Sequence, residues 1–278
     1  MSAASRERFA DVVRAGGAAG DPDDVRLDLA LLLLSAEALP DDESTGAGLD
    51  SLVADGLAQL DALAAHVPEE GRDDLRLRTA LGEFAGTSSD YSHLESSLLP
   101  VVLRRRRGLP ILLSTVWTEV ARRAGVPAYG VGLPGHFVVG VGDPDGTRVL
   151  VDPFTGGRLL PYDRARDIAA ETGRSLRPEH LRPHDPIDTI DRVLGNVRAW
   201  ATTPERARHR LWAAELGLLL PRHDLGLRRD HGEALVAVGR YVEAANVLED
   251  YADTISSPMP LEAEHARRIA RQARARLN

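Results

Sequence analysis

Ser114, His136 and Asp152 follow one another along the chain in the order nucleophile, imidazole, carboxylate. Those three types are what acyl-transfer chemistry requires. The imidazole takes the proton of an attacking hydroxyl or thiol, and the carboxylate holds the ring in the correct tautomer. A thiolate would be the stronger nucleophile, favoured further at a helix N-terminus by the helix dipole. The chain has no cysteine, so thiolate chemistry is excluded. Ser114 then stands as candidate nucleophile, which needs a base within about 3 Å and donors for an oxyanion. A plainer expectation competes: a serine inside a helix donates to the carbonyl one turn back, here that of Pro110. His136 and Asp152 likewise read either as catalytic groups or as a structural hydrogen-bonded pair.

The elements that must hold these residues are well punctuated. Gly108 ends one segment, and Pro110 suits a first helical turn, where its missing N–H costs nothing. Leu112, Leu113, Val116, Trp117, Val120 and Ala121 form a helical stripe. Gly125 stops the helix, and Val126-Pro127 turns into an extended run at 128–133. Pro134-Gly135 breaks that run. A second strand is expected from His136 to 141, alternating in polarity, then a turn at Asp143-Pro144-Asp145-Gly146 and a return over 148–151. A four-residue loop would set Gly142 against Thr147 and Phe137 against Asp152. His136 and Asp152 are then near neighbours across the ladder, where opposed β-carbons are about 4.5–5.5 Å apart.

Gly108-Leu109-Pro110, Ala121-Arg122-Arg123-Ala124-Gly125-Val126-Pro127, Leu133-Pro134-Gly135-His136-Phe137 and Val151-Asp152-Pro153-Phe154 resemble the SirB-type bacterial family. Asp90-Tyr91, the helix at 99–107 and the segment 187–251 carry the same resemblance. Members of that family join a transglutaminase-like core to a tetratricopeptide-like helical tail. The resemblance implies an α+β chain: a mostly helical, papain/transglutaminase-like core with a small antiparallel sheet over residues 1–172, then a tetratricopeptide-like α-helical tail over 187–278. It implies His136 and Asp152 as the triad histidine and aspartate. Counting back from Gly125-Val126-Pro127 by the family's spacing puts the cysteine position near Ile111, a side chain that cannot attack a carbonyl. Thiol protease activity and crosslinking are therefore not expected.

Composition narrows the rest. A chain of 278 residues can bury a core and hold two units. The formal net charge of −8 argues against a nucleic-acid partner. All 34 basic residues are arginine, so the chain has no lysine side chain to offer a crosslink. The polar first ten residues show no signal-peptide pattern, and the apolar stretch 29–34 is too short to span a membrane; a cytoplasmic location without membrane contact is the expectation. Helices are expected at 5–15, 23–38, 49–65, 73–85 and 97–106, the second opened by Asp21-Pro22, closed by Pro40 and followed by a polar linker at 41–48. Its leucines leave no polar side, which marks a buried helix. Tail helices are expected at 187–201, 204–219, 225–239, 241–254 and 262–277, the last arginine-rich and read as a solvated cap. The run Arg104 to Arg107 reads as a solvated helix face. His180 and His184 are four apart but separated by Pro183, so no metal site is expected, and no cofactor either.

Two functional readings remain. One is a non-catalytic regulatory or protein-interaction protein on a degenerate transglutaminase-like core, with one or more protein partners. The other is an amidase, peptidase or acyltransferase using Ser114 or an activated water with His136 and Asp152. Ile111 in the nucleophile slot weighs toward the first.

Overall fold

A computed structural model describes residues 3–15, 25–39 and 46–276. The expected start signal Asp21-Pro22, the stop at Pro40 and the linker residues 41–45 lie outside the described residues. The chain forms two compact units, Met1–Val193 and Leu194–Asn278.

In the first unit, α1 (Ala3–Ala15), α2 (Leu27–Ala36), α3 (Gly46–Ala64) and α4 (Asp73–Leu81) precede two 3₁₀ turns, Ser88–Ser92 and Leu94–Ser97. Then come α5 (Leu99–Arg105) and α6 (Pro110–Arg123). Ala30 and Leu31 to Leu34 of α2 are at most 1% exposed, as a helix without a polar face must be. Burying each such leucine contributes about 1.5–3 kcal/mol. The one charge in α2's first turn, Asp28, is fully buried and is held by Arg26 at 3.0 Å and Arg123 at 2.5 Å. Helix α6 is buried along nearly its whole length and runs as its punctuation predicts, from Pro110 to a stop at Gly125, where Val126 N–H closes onto Ala121 O at 2.9 Å.

Helix α6 feeds an antiparallel meander of four strands in sequence order: β1 (Ala128–Val131), β2 (Val138–Gly142), β3 (Arg148–Asp152) and β4 (Arg158–Leu159). Three sequence expectations need correction here. Strand β2 begins at Val138, so His136 stands in the corner before it. The register pairs Gly142 with Arg148 and Val139 with Val151, one residue off the expected one, because the hairpin loop is 143–147. Gly142 makes this possible at φ +112°, where an added Cβ would overlap the Thr147 carbonyl. Nor does β2 alternate: Val138, Val139, Gly140 and Val141 are all buried. Helix α6 packs on the sheet, while Val138 also clusters with Val131, Leu133, Ala165 and Leu181. A strand covered on both faces reads as a continuous apolar run. Helix α7 (Tyr162–Glu171) supplies Ala165, and α8 (Pro186–Trp200) begins in this unit.

The second unit contains α9 (Ala207–Gly217), α10 (Gly226–Ala237), α11 (Tyr241–Ile255) and α12 (Pro260–Ala275), each packed on the next. Its core is built on small residues, among them Ala234, Ala244, Ala245, Ala263, Ala266 and Ala270. These let the helix axes approach closely. A methyl at Gly232 would meet Leu248 Cγ at 2.6 Å. The arginines of α12 stay outside, where Arg267 pairs with Asp253 at 2.9 Å and Arg274 with Glu249 at 2.6 Å. No helix among the described residues is long and apolar enough to cross a membrane.

Candidate functional site

The site grows from two turns. In the first, Leu133-Pro134-Gly135-His136, the His136 N–H donates to Leu133 O at 3.2 Å. The second follows β3: Asp152 caps the 3₁₀ turn Pro153–Thr155, its Oδ1 accepting the Phe154 N–H at 2.9 Å. An aspartate before proline starts such turns because its side chain can bond the backbone two residues on. The Asp152 carbonyl accepts from Thr155 Oγ1 at 3.1 Å and from the Gly157 N–H at 2.9 Å. So fixed, Asp152 Oδ1 lies 3.1 Å from His136 Nε2, with the two side chains only 9% and 11% exposed. The corner thus brings His136 to Asp152 despite the shifted register.

Phe154 backs this pair. Its ring meets the His136 ring edge-on at 5.9 Å and the Tyr91 ring at 6.2 Å. Tyr91 is half exposed and is placed by its neighbour Asp90, which is 2% exposed. Burial alone would raise the Asp90 carboxyl, but donors from Arg107 at 3.0 Å and from Thr87 outweigh it and hold the group below the ordinary carboxylate value. The arginine run is therefore divided. Arg104 and Arg105 end α5 exposed, Arg106 turns left-handed at φ +53° and pairs with Glu83, and Arg107 anchors Asp90. The Tyr91 phenol is raised above its ordinary value by burial, opposed by the charge of Arg192 and assisted by that of Asp152.

Ser114 is fully buried, and its Oγ donates to Phe137 O at 3.3 Å rather than to Pro110 O. Its neighbour Thr115 makes the intrahelical bond, to Ile111 O at 2.8 Å. Ile111 is 2% exposed on the first turn of α6.

Arg192 of α8 was not legible as a site residue. Its Nη2 donates to His136 O at 2.8 Å and to Leu133 O at 3.2 Å, and its guanidinium lies 5.3 Å from the centre of the Phe137 ring. In a chain whose basic residues are all arginine, nothing local marks this one. His184 donates its N–H to Gly130 O at 2.8 Å and sets its ring 5.1 Å from that of Phe137. Burial, then the charge of Arg192, lowers its imidazole below the ordinary value. His180 serves another turn, accepting the Arg177 N–H at 3.1 Å. Among the described residues no three His, Asp or Glu side chains form a group that could hold a metal. Grooves of about 680 and 510 Å³ run along α3, and one of about 500 Å³ follows the β3–β4 edge; His136 and Asp152 line none of the three.

The model of the transglutaminase-like superfamily matches residues 54–195, just over half of the chain and a span that holds every residue of this site. The chain belongs to the transglutaminase-like superfamily. This transglutaminase-like chain is similar to a UPF0162 protein of Xylella fastidiosa, 35% identical over 176 residues, covering 60% of this chain and 62% of that one. It is 34% identical over 173 residues to a UPF0162 protein of Pseudomonas aeruginosa, covering 61% and 62%. The chain thus spans a little over three fifths of the length of these relatives. A shorter stretch of 57 residues is 39% identical to F-box only protein 21 of Mus musculus, covering 20% of this chain and 9% of that protein.

Proposed function

We propose that this chain is a non-catalytic member of the superfamily: a cytoplasmic regulatory or protein-interaction protein of the SirB type, with a tetratricopeptide-like tail. The observation that carries the reading is the state of the two nucleophile candidates. Ile111 has no atom to share, and Ser114 is fully buried with its hydroxyl committed to the Phe137 carbonyl. A serine nucleophile must be reachable by substrate and must give its proton to a base, not to a carbonyl. The chain meanwhile keeps Phe154 and the half-exposed Tyr91 beside the His136–Asp152 pair. The small-residue helix pairs of α10 and α11 fit a tetratricopeptide-like tail.

One observation favours a second reading. His136 and Asp152 at 3.1 Å retain base geometry, which would let His136 activate a water in an amidase or peptidase. The full chain and His136→Ala are assayed side by side with a serine-directed fluorophosphonate, a p-nitrophenyl ester, and a glutamine peptide with a free amine. No His136-dependent labelling or turnover is expected. His136-dependent labelling of Ser114, or hydrolysis that falls about 10²–10⁴-fold in His136→Ala, would overturn the non-catalytic reading.

A further inference from the structure

Strand β3 leaves part of its outer edge unpaired. Residues of an antiparallel strand bond alternately to the neighbour on each side. The Asp143 N–H donates to Thr147 O at 3.1 Å, and the register pairs Val141 with Val149 and Val139 with Val151. These rungs turn Val149 and Val151 toward β2 and the residues between them outward. Leu150 agrees, since its carbonyl accepts the Leu160 N–H at 2.8 Å. Arg148, two residues earlier, therefore also turns its backbone N–H and C=O outward. Strand β4 stops short of it. Continuing the pairing of Val151 with Leu159 would put Tyr162 opposite Arg148, but Pro161 caps α7 and the chain leaves the sheet there. Among the described residues no group bonds the Arg148 backbone on that side.

The groove of about 500 Å³ at this edge narrows what would. Gly146 and Arg148 line it, and its other walls include Leu150, Leu159, Leu160, Tyr162 and Leu181. Leu159 and Tyr162 are 52% and 53% exposed. Leu150 and Leu160 pack against the cluster that holds Leu181 and Ala165 of α7. Side chains two apart in a strand share a face, so Arg148 lies on the same face as Leu150. A residue paired with Arg148 from outside would point its side chain that way, onto these leucines. The arginine side chain is drawn back from the place, its Nη1 donating to Pro144 O in the hairpin loop at 2.5 Å.

We infer that an extended segment of a partner protein adds to β3 at this edge, with a backbone rung at Arg148 and an apolar side chain in the groove. Strand addition of this kind takes affinity from main-chain bonds and specificity from the pocket. A second copy is the poorer occupant, because two β3 edges paired about Arg148 would set like charges directly opposite, which destabilises. The inference goes beyond the reading above by naming a class of partner and where it docks. His136 and Asp152 line no part of the groove, so its failure leaves the nucleophile argument untouched.

The test titrates the full chain by amide NMR with capped pentapeptides Thr-Thr-X-Thr-Thr, where X is leucine, alanine or N-methyl-leucine. In the free protein the Arg148 amide should exchange freely with solvent, while those of Val149 and Val151 are protected. The leucine peptide should shift the Arg148 and Leu181 signals saturably and slow Arg148 exchange. Alanine at X should bind about tenfold more weakly. N-methyl-leucine cannot donate to the Arg148 carbonyl and should lose about three- to tenfold. Arg148→Pro deletes an N–H that the sheet does not use, and should weaken binding by a similar factor with the melt little changed. Tyr162→Ser, at a half-exposed position, should weaken it about fivefold. An Arg148 amide already protected in the free chain would overturn the inference, and a dimer in sedimentation would then assign the edge to a second copy. No saturable shift with the leucine peptide, equal binding of the three peptides, or unchanged affinity in both variants would overturn it too.

Discussion

Gly157→Ala tests how the turn beneath the Asp152 carboxylate is built. Gly157 sits at φ +71° and donates its N–H to Asp152 O at 2.9 Å. An alanine in that region costs about 1–2 kcal/mol for its Cβ alone. The new Cβ would also overlap Cη2 and Cζ2 of Trp117 and meet Cζ3 at 3.1 Å. Trp117 is fully buried in α6, so it cannot swing clear, and overpacking of this kind costs about 1–3 kcal/mol. The sum is about 2–5 kcal/mol, a large share of a stability of about 5–15 kcal/mol. For a unit of this size that lowers the melting midpoint by about 4–20 °C in scanning calorimetry. A double-mutant cycle separates the two terms. In a Trp117→Leu background the steric term should vanish, leaving Gly157→Ala a cost of about 1–2 kcal/mol. A midpoint within about 2 °C of the parent would refute the packing argument, and so would the same cost in both backgrounds.

Asp28→Asn should destabilise the first unit by about 2–3 kcal/mol, less than the ~3–5 kcal/mol of a fully stranded partner, because Arg123 keeps Glu119 and Asp61. Burial raises the Asp28 carboxyl, but bonds from Arg26 and Arg123 outweigh it and hold it below its ordinary 3.8. Its contribution is therefore present above about pH 4 and lost as pH falls through the lowered folded value; acid unfolding of Asp28→Asn should be flatter in that range, and a parallel curve would contradict this. His184, lowered by burial and then by Arg192, should show ring signals that titrate below 6.5 by NMR. Its contribution to stability is present above 6.5 and fades as pH falls toward the folded value; a midpoint above 6.5 would negate the burial argument. Tyr251, pushed up to about 12 by burial and by its 2.6 Å bond to Glu262, should be the last phenol to ionise in an ultraviolet titration. Tyr251→Phe should cost about 1–2 kcal/mol by leaving a Glu262 lone pair unpaired, and an unchanged melt would show that bond to be idle.

Much of the site was legible because its signals are local. Pro110 and Gly125 delimit α6 by backbone chemistry alone, and the lack of cysteine removes the thiolate without any structure. The Pro134-Gly135 corner, the Asp143–Gly146 turn and Asp152-Pro153 bring His136 close to Asp152 even though the expected register was one residue off and His136 precedes β2. Closeness survived because a corner and a cap, not the ladder, complete the pair. Three things were decided only by tertiary packing. The acceptor of Ser114 is Phe137 O, since α6 lies against the strand where a carbonyl competes with the one a turn back. Tyr91 reaches the dyad through Phe154, across sixty-odd residues of chain. Arg192 reaches the His136 carbonyl from α8, over fifty residues further along the chain. Turn and helix signals extend over a few residues, whereas these contacts join segments whose meeting depends on how whole helices pack. The sequence by itself thus determined which chemistry the chain lacks and where its histidine and aspartate meet, and the fold alone decided what surrounds them.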